Sequence, residues 1–523
     1  MHNRIFLLDT GTPRREYSEP IGIEVLTSYI VRSFPELAVD TLSLELDGFF
    51  KFEDMLKLNK YIIIGISSKI GSFEIFENVM RSIAKLAPTS VVVCGDILAT
   101  YAYESLLNSF DKLVCVIGEG ENAIAGIVSV VLEHGKNYRK HLAKIKNLAF
   151  FDGSSVKITE RNEPFDVTKS LHPTRTLLDK IKGKRGIIHL EASRGCVYGD
   201  CSFCGIKQKY HIPHWRPLPV EFIIKELIDL SANGIMSPYF TDEDFFGTDI
   251  DRVDRIANEI IKLKEKEEIH PDLNFYFNMR VDSVLGVGIG GIQRSSSTLM
   301  KLKNAGLREV FIGIESGSNE QMERYNKNNS ADKCIRAVML LNKLGIDVDI
   351  GFIMFDPSMS LGTLKNNIDF IYRSGVSMNY SRLAKRLRVE PHTPFSNDYI
   401  KKNPNLKLNL SSVSYDYDFE NPDIKMIYNI FYVWEQKDLD FIYNLQSFCR
   451  GEVPNEEERR KAKNIISLYR SLDVSFLREM CEDAIHNNSS NYISIQDKYF
   501  FARENYNEVL EDEIRRITET YRK

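Results

Sequence analysis

Short apolar runs alternate with amphipathic helical stretches over the first part of the chain. Runs at 5–8, 38–44, 61–67, 91–93 and 113–117 read as strands, and helical periodicity fits 21–33 and 72–85. Strands separated by helices predict an α/β, doubly wound, Rossmann-like domain over residues 1–150. Residues 151–182 show no strong period and hold Pro164, His172, Pro173 and Thr174, so they read as a linker. From Gly186 the alternation resumes. Strands are expected at 187–192, 238–241, 274–278, 309–314 and 347–354, with a sixth around 387–389. Helices are expected at 220–232, 249–266, 297–305, 331–344 and 361–373. Six βα units predict a partial (β/α)6, TIM-like barrel over residues 183–395, its polar groups gathered at the strand C-termini. Residues 396–523 read as a mostly α-helical domain, with helices at 424–434, 456–472 and 505–521, suited to closing the barrel mouth.

Composition narrows the class. The 523 residues are 43% hydrophobic and 27% charged, as in an ordinary globular protein. With 68 basic and 73 acidic residues the net charge is -5, which gives no nucleic-acid footprint. No apolar run approaches the roughly 20 residues that span a bilayer. The first residues enter a strand at once, leaving too little for a signal peptide, and the expected location is cytoplasmic. Five of eight cysteines (Cys94, Cys115, Cys334, Cys449 and Cys481) are scattered and read as small buried hydrophobes.

The other three stand together. Ser193-Arg-Gly-Cys-Val-Tyr-Gly-Asp-Cys-Ser-Phe-Cys-Gly205 places Cys196, Cys201 and Cys204 within nine residues. Three thiolates on one glycine-rich loop suit a shared soft metal centre. A closed zinc site wants four ligands, so a zinc knuckle would borrow His189, His211 or His214. An iron–sulfur cluster on three cysteines leaves one iron open.

This stretch resembles the radical S-adenosylmethionine family, whose usual motif is C-x-x-x-C-x-x-C with an aromatic before the last cysteine, here Phe203. One extra residue stands in the first gap. Phe311-Ile-Gly-Ile-Glu-Ser-Gly-Ser318, after Leu302-Lys-Asn-Ala-Gly306, is similar to that family's fourth-strand signature. Gly351-Phe-Ile-Met-Phe-Asp-Pro357 looks like its fifth-strand element with Phe355 for the usual glycine; Glu390-Pro-His-Thr-Pro394 resembles its Pro-Gly-Thr-Pro segment with His392 for glycine. The resemblance implies a [4Fe–4S] cluster on the three cysteines and S-adenosylmethionine beside Phe203. Asp242 and Glu243 would accept from its amine, and Arg280 or Arg324 would fork its carboxylate. Glu315, with Ser316 next to it, would take the ribose.

The N-terminal domain looks like the cobalamin-binding domain that precedes many such barrels. Glu19-Pro-Ile-Gly-Ile23 and Gly118-Glu-Gly-Glu121 carry that likeness. Ligands of doubly wound sheets sit outside the strand C-termini, so the implied cobalamin contacts are Ser67, Ser68, Gly95, Asp96, Gly118, Glu119 and Gly120. The loop Asp9-Thr-Gly-Thr-Pro13 lacks the axial histidine of many cobalamin domains, so cobalt is expected without one. A Rossmann domain that has lost its cofactor is the competing reading. Gly286-Val-Gly-Ile-Gly-Gly291 fits G-x-G-x-x-G but lacks the acidic residue of a βαβ nucleotide unit, and reads as a flexible insertion.

The resemblance implies an oxygen-sensitive, cobalamin-dependent enzyme. It would cleave S-adenosylmethionine to a 5′-deoxyadenosyl radical and transfer methyl to an unactivated carbon of a small molecule or peptide. Flavodoxin or ferredoxin would supply electrons, and neither nucleic acid nor membrane is expected as a partner. The alternatives are a radical enzyme that cyclises, rearranges or oxidises without methyl transfer, and a zinc- or cluster-binding protein without turnover. Tyr380, Tyr415 and Tyr417 are candidate substrate contacts.

Overall fold

Isoleucine, valine and phenylalanine fill both faces of the first strands, as a parallel sheet covered by helices on each side requires. The computed structural model describes residues 3–11, 17–376, 382–450, 456–486 and 491–522. They form two compact units: Met1–Gly199 with Phe203–Glu226 and Arg388–Asp416, and Asp200–Ser202 with Leu227–Leu387 and Tyr417–Lys523.

In the first unit, β1 (Arg4–Asp9), β2 (Ala38–Ser43), β3 (Tyr61–Ser67), β4 (Val91–Gly95), β5 (Val114–Val116), β6 (Leu148–Phe151) and β7 (Val156–Ile158) make one sheet. Its order is β2-β1-β3-β4-β5-β6-β7, parallel from β2 to β5 and antiparallel thereafter. Helices Ile21–Ser33, Leu44–Leu58, Phe73–Leu86 and Asp96–Ser109 make the parallel crossovers, and Glu121–His134 leads from β5 toward the antiparallel β6. Phe76, Val79, Met80 and Ile83 show why such a helix packs: they fall on one face and are buried. The β6–β7 hairpin has no sequence expectation, because runs of four and three residues are too short for a period to show. The unit also holds β8 (His189–Leu190), β9 (Ser193–Arg194) and β10 (Arg216–Pro217), of which β9 and β10 pair antiparallel.

In the second unit, β11 (Tyr239–Phe240), β12 (Phe275–Arg280), β13 (Leu307–Glu315) and β14 (Asp347–Phe352) run parallel in the order β14-β13-β12-β11. Helices Ile250–Glu265, Gly291–Ala305, Ala331–Lys343 and Leu361–Ser374 alternate with them, which is the open, partial-barrel pattern. The expected sixth strand is reduced to a bridge: Phe355 pairs with Arg386, and the Leu387 N–H donates to the Phe355 carbonyl. The 286–291 stretch is a tight turn, not a flexible insertion. Gly286, Gly288, Gly290 and Gly291 have φ between +71° and +103°, and the Gly291 N–H closes onto the Gly286 carbonyl.

Four helices end the chain: Pro422–Gln436, Leu439–Arg450, Glu456–Ile485 and Tyr492–Arg522. Trp434 is fully buried among them, its Nε1–H donating to Asp473 Oδ1 at 2.7 Å and the Arg503 guanidinium 3.3 Å from its ring centroid. Two basic residues of this region tie to strand starts. Arg450 Nη2 lies 2.7 Å from Glu309 and 3.0 Å from Asp349, and Lys463 Nζ 2.6 Å from Asp347. No helix among the described residues is long and apolar enough to cross a membrane.

Candidate functional site

The cysteine loop is shaped by glycines that nothing larger can replace. Gly195 has φ +89°, and a Cβ there would lie 2.2 Å from the His214 carbonyl oxygen. A Cβ on Gly205 would lie 2.4 Å from Tyr101 Oη, which donates to the Gly205 carbonyl at 2.7 Å. The Cys196 N–H donates to the Pro213 carbonyl at 3.1 Å. Cys196, Cys201 and Cys204 form no disulfide and are half-buried, as is Phe203 between the last two. By contrast, burial pushes the thiols of Cys334 and Cys481 up to about 12 and that of Cys449 up to about 11, which keeps them protonated.

Three accessible thiols on one bent loop are the donor set a [4Fe–4S] cluster takes with one iron left open. Among the described residues, no three His, Cys, Asp or Glu side chains are gathered to hold a single metal ion. A cluster asks for a wider spread, since each thiolate meets its own iron. Of the histidines a zinc site would borrow, His211 and His214 are exposed. The His189 Nδ1 is 2.8 Å from the Glu19 carbonyl, and burial lowers that imidazole to about 4, so it is neutral.

At the base of the loop, Arg194 and Arg216 are cross-strand partners on β9 and β10. Arg194 Nη1 donates to Glu119 at 3.0 Å and Glu121 at 2.7 Å, and its Nε donates to Glu191 at 2.8 Å. Arg216 Nη1 donates to the same Glu119 carboxylate at 3.0 Å, and the Phe165 N–H adds a bond at 2.8 Å. The turn before Glu119 is equally tight. Gly118 has φ +84°, and a Cβ there would lie 2.3 Å from the Lys209 carbonyl oxygen. Gly118, Glu119 and Gly120 thus belong to the turn that carries this charge cluster.

The other four expected cobalamin contacts form a polar row at strand C-termini. Ser67 Oγ donates to Asp96 Oδ2 at 2.9 Å, next to Gly95, and Ser68 Oγ is 2.8 Å from Ser72 Oγ. Asp9, at the head of the expected loop, extends the row with Ser43 and Lys69, which the sequence reading did not single out. Buried Asp9 accepts from Ser43 Oγ at 3.2 Å and faces Lys69 Nζ at 3.5 Å. In the expected Asp9–Pro13 loop, Thr12 and Pro13 lie outside the described residues, as does Tyr380.

The second unit brings its candidates to the ends of β11, β12 and β13. Asp242 is buried and Glu243 half-buried after β11. Next to them burial pushes Asp244 up to about 6, against the pull of Arg280. Arg280 Nη2 donates to Asp282 at 2.6 Å. Glu315 ends β13 with φ +73°, and its Oε1 is 3.2 Å from Lys327 Nζ. Gly313 and Gly351 leave the room: a Cβ on either would lie 2.9 Å or 3.3 Å from that oxygen. Both partners are little exposed, at 14% for Lys327 and 15% for Glu315. Burial opposes the Lys327 charge, yet Glu315 and then the Cys201 sulfur hold its ammonium above the usual lysine range. Lys327 escaped the sequence reading because Tyr-Asn-Lys-Asn-Asn looks like any exposed turn.

Ser316 and Arg324 sit in a buried network below. Ser316 Oγ lies 2.7 Å from Gln321 Oε1, and Gln321, Arg324 and Tyr325 all donate to Asp356 Oδ2 at 2.8 to 3.0 Å. This network holds the middle of the cysteine loop. The Ser202 N–H donates to the Tyr325 carbonyl at 2.8 Å, and its Oγ donates to the Arg324 carbonyl at 2.9 Å.

Residues 190–371 match the Radical SAM superfamily. The 4'-phospho-dehydrooxetanocin synthase of Priestia megaterium is 29% identical over 377 residues, 68% of this chain and 48% of that protein. The chain thus spans about half the length of this curated relative. The cobalamin-dependent S-adenosylmethionine radical enzyme OxsB, with aqua-cobalamin bound, superposes with a TM-score of 0.82 at 21% identity, over 99% of this chain and 83% of that one. The radical S-adenosylmethionine methyltransferase TsrM from Kitasatospora setae, with cobalamin and a [4Fe–4S] cluster bound, gives 0.63 at 16% identity, over 78% and 81%. With its cysteine loop and its β13 signature, residues 190–371 carry the radical S-adenosylmethionine domain, and the chain shares the fold of cobalamin-dependent radical S-adenosylmethionine enzymes.

Proposed function

We propose that this protein is a cobalamin-dependent radical S-adenosylmethionine enzyme that transfers a methyl group to an unactivated carbon of a small molecule or peptide. The observation that carries the reading is the loop of three half-buried cysteines, Cys196, Cys201 and Cys204, none in a disulfide. When bound, the cluster supplies the electron that splits S-adenosylmethionine, and methylcobalamin supplies the methyl group. The residues' part is positioning. Glu315 accepts from the ribose, with Ser316 behind it, and Asp242 and Glu243 accept from the amine. Arg280 or Arg324 would meet the carboxylate, and Phe203 would be a further S-adenosylmethionine contact. Ser67, Ser68, Gly95 and Asp96 line the corrinoid side. The enzyme requires a reductant and a substrate; flavodoxin or ferredoxin fits the first role. The cytoplasm is the proposed compartment, without nucleic-acid or membrane partners.

The name of the synthase relative specifies a phosphorylated product and no methylation. It favours a second reading, in which the same radical rearranges, cyclises or oxidises a small molecule. One experiment separates the two. Anaerobically reconstituted protein is reduced with S-adenosylmethionine carrying a labelled methyl group, in the presence of hydroxocobalamin. Release of 5′-deoxyadenosine with label on the corrinoid or product supports methyl transfer. Release without label supports the second reading. Iron-replete protein that releases no 5′-deoxyadenosine sinks both.

A further inference from the structure

We propose that Glu119 and Glu121 are positioning residues for the cysteine loop, acting through Arg194 and Arg216. This rests on the reading of that loop as the cluster holder. Arg194 immediately precedes Gly195-Cys196, and Arg216 closes the same loop as its cross-strand partner. Two guanidinium groups side by side on adjacent strands repel. Glu119 lies between them, taking Arg194 at 3.0 Å and Arg216 at 3.0 Å, while Glu121 takes Arg194 again at 2.7 Å. Arg194 is 8% exposed and Glu121 4%, so water does little to screen these charges. Arg194 also lies over the Phe165 ring, which fixes its plane.

The same turn carries the chain beyond Cys204. The Gly118 N–H donates to Thr100 Oγ1 at 3.0 Å, and Gln208 Nε2 donates to the Thr100 carbonyl at 3.0 Å. Arg161 Nη2 donates to the Gln208 carbonyl at 2.9 Å. The Gly-Glu-Gly-Glu turn between β5 and helix Glu121–His134 therefore grips the loop at its entry, its exit and the short helix Ile206–Tyr210. Its glutamates serve the thiolates, and the corrinoid depends on the row at β3 and β4 instead.

The test uses full-length Glu119→Gln/Glu121→Gln, with Arg194→Lys as a milder variant that keeps the charge and loses the fork. In iron-free protein, hydrogen exchange of amides 195–216 should accelerate in both variants while exchange in β1 to β4 is unchanged. After reconstitution, the spectrum of the reduced cluster with S-adenosylmethionine should change, and 5′-deoxyadenosine release should fall by about ten- to hundredfold, the usual scale for supporting residues. Retention of hydroxocobalamin should match the wild type. Unchanged exchange and an unchanged cluster spectrum overturn the proposal; so does lost corrinoid with an intact cluster, which would make Glu119 a corrinoid contact. If wild-type protein takes up no cluster, the functional reading fails, and the exchange of the iron-free protein still decides whether the clamp exists.

Discussion

Glu315 shows what one residue carries here. A glutamate at φ +73° holds a backbone conformation that costs about 1–3 kcal/mol, the kind of strain that clusters at functional sites. The Ile353 N–H donates to its carbonyl at 2.8 Å, and Lys327 holds its carboxylate. Glu315→Gln keeps the shape and removes the charge, leaving Lys327 short of its partner. The expected outcome is a loss of about 3 kcal/mol in urea unfolding and weaker S-adenosylmethionine binding by equilibrium dialysis, with iron content unchanged. Full affinity would remove Glu315 from the ribose role. His392 makes a related point: it has φ +63° where the family's segment has glycine, and its ring stacks on Tyr103 at 5.4 Å. Left-handed backbone persists there without the residue that usually supplies it.

At the scale of elements, turns and crossovers do the positioning. Gly118→Ala adds a Cβ where φ is +84° and the Lys209 carbonyl oxygen stands 2.3 Å away. It should cost at least about 1–3 kcal/mol in unfolding free energy and loosen iron binding, because the displaced segment follows Cys204. Helix Ile21–Ser33 is fastened differently. Glu24 Oε1 accepts from the Leu177 N–H at 2.9 Å, and burial, with Glu19 beside it, pushes its carboxyl from 4.5 up to about 8. The native state therefore keeps a proton that the unfolded chain gives up. That stability is complete below pH 4.5, declines as pH rises and is gone above about 8. The decline reaches about 1.4 kcal/mol per pH unit for one proton. Urea unfolding across this window should show the fall in the wild type and a flatter profile in Glu24→Gln, which has no proton to lose. Equal slopes would mean that Glu24 is already ionised.

At the scale of the molecule, the helical end of the chain meets the second unit beyond the end of β14, where Tyr428 packs edge-on against Phe355, and also at the strand starts. Arg450 ties to Glu309 and Asp349 near the starts of β13 and β14, whereas Glu315 closes β13. Arg450→Ala leaves two carboxylates without their cation. With Arg450 32% exposed, water offsets part of the loss, and about 1–2 kcal/mol of destabilisation is expected. S-adenosylmethionine affinity should not move. A change in affinity without a change in stability would mean that this tie acts on the site.

Much of this architecture was present in the order of residues. Alternating apolar runs and amphipathic stretches dictate a parallel α/β fold, because each βα unit buries its own faces locally. The Cys196–Cys204 spacing and the Phe311–Ser318 stretch mark the family by residues that stand close in the chain. What only the tertiary structure decided is which distant charges meet. Glu119 is 75 positions from Arg194 and 97 from Arg216, and Lys327 joins Glu315 only because the turn after helix Asn319–Arg324 leads back to the end of β13. Local periodicity reports which face of an element is buried. It carries no information about which buried charge will stand opposite, and electrostatic pairing in a closed site depends on that alone.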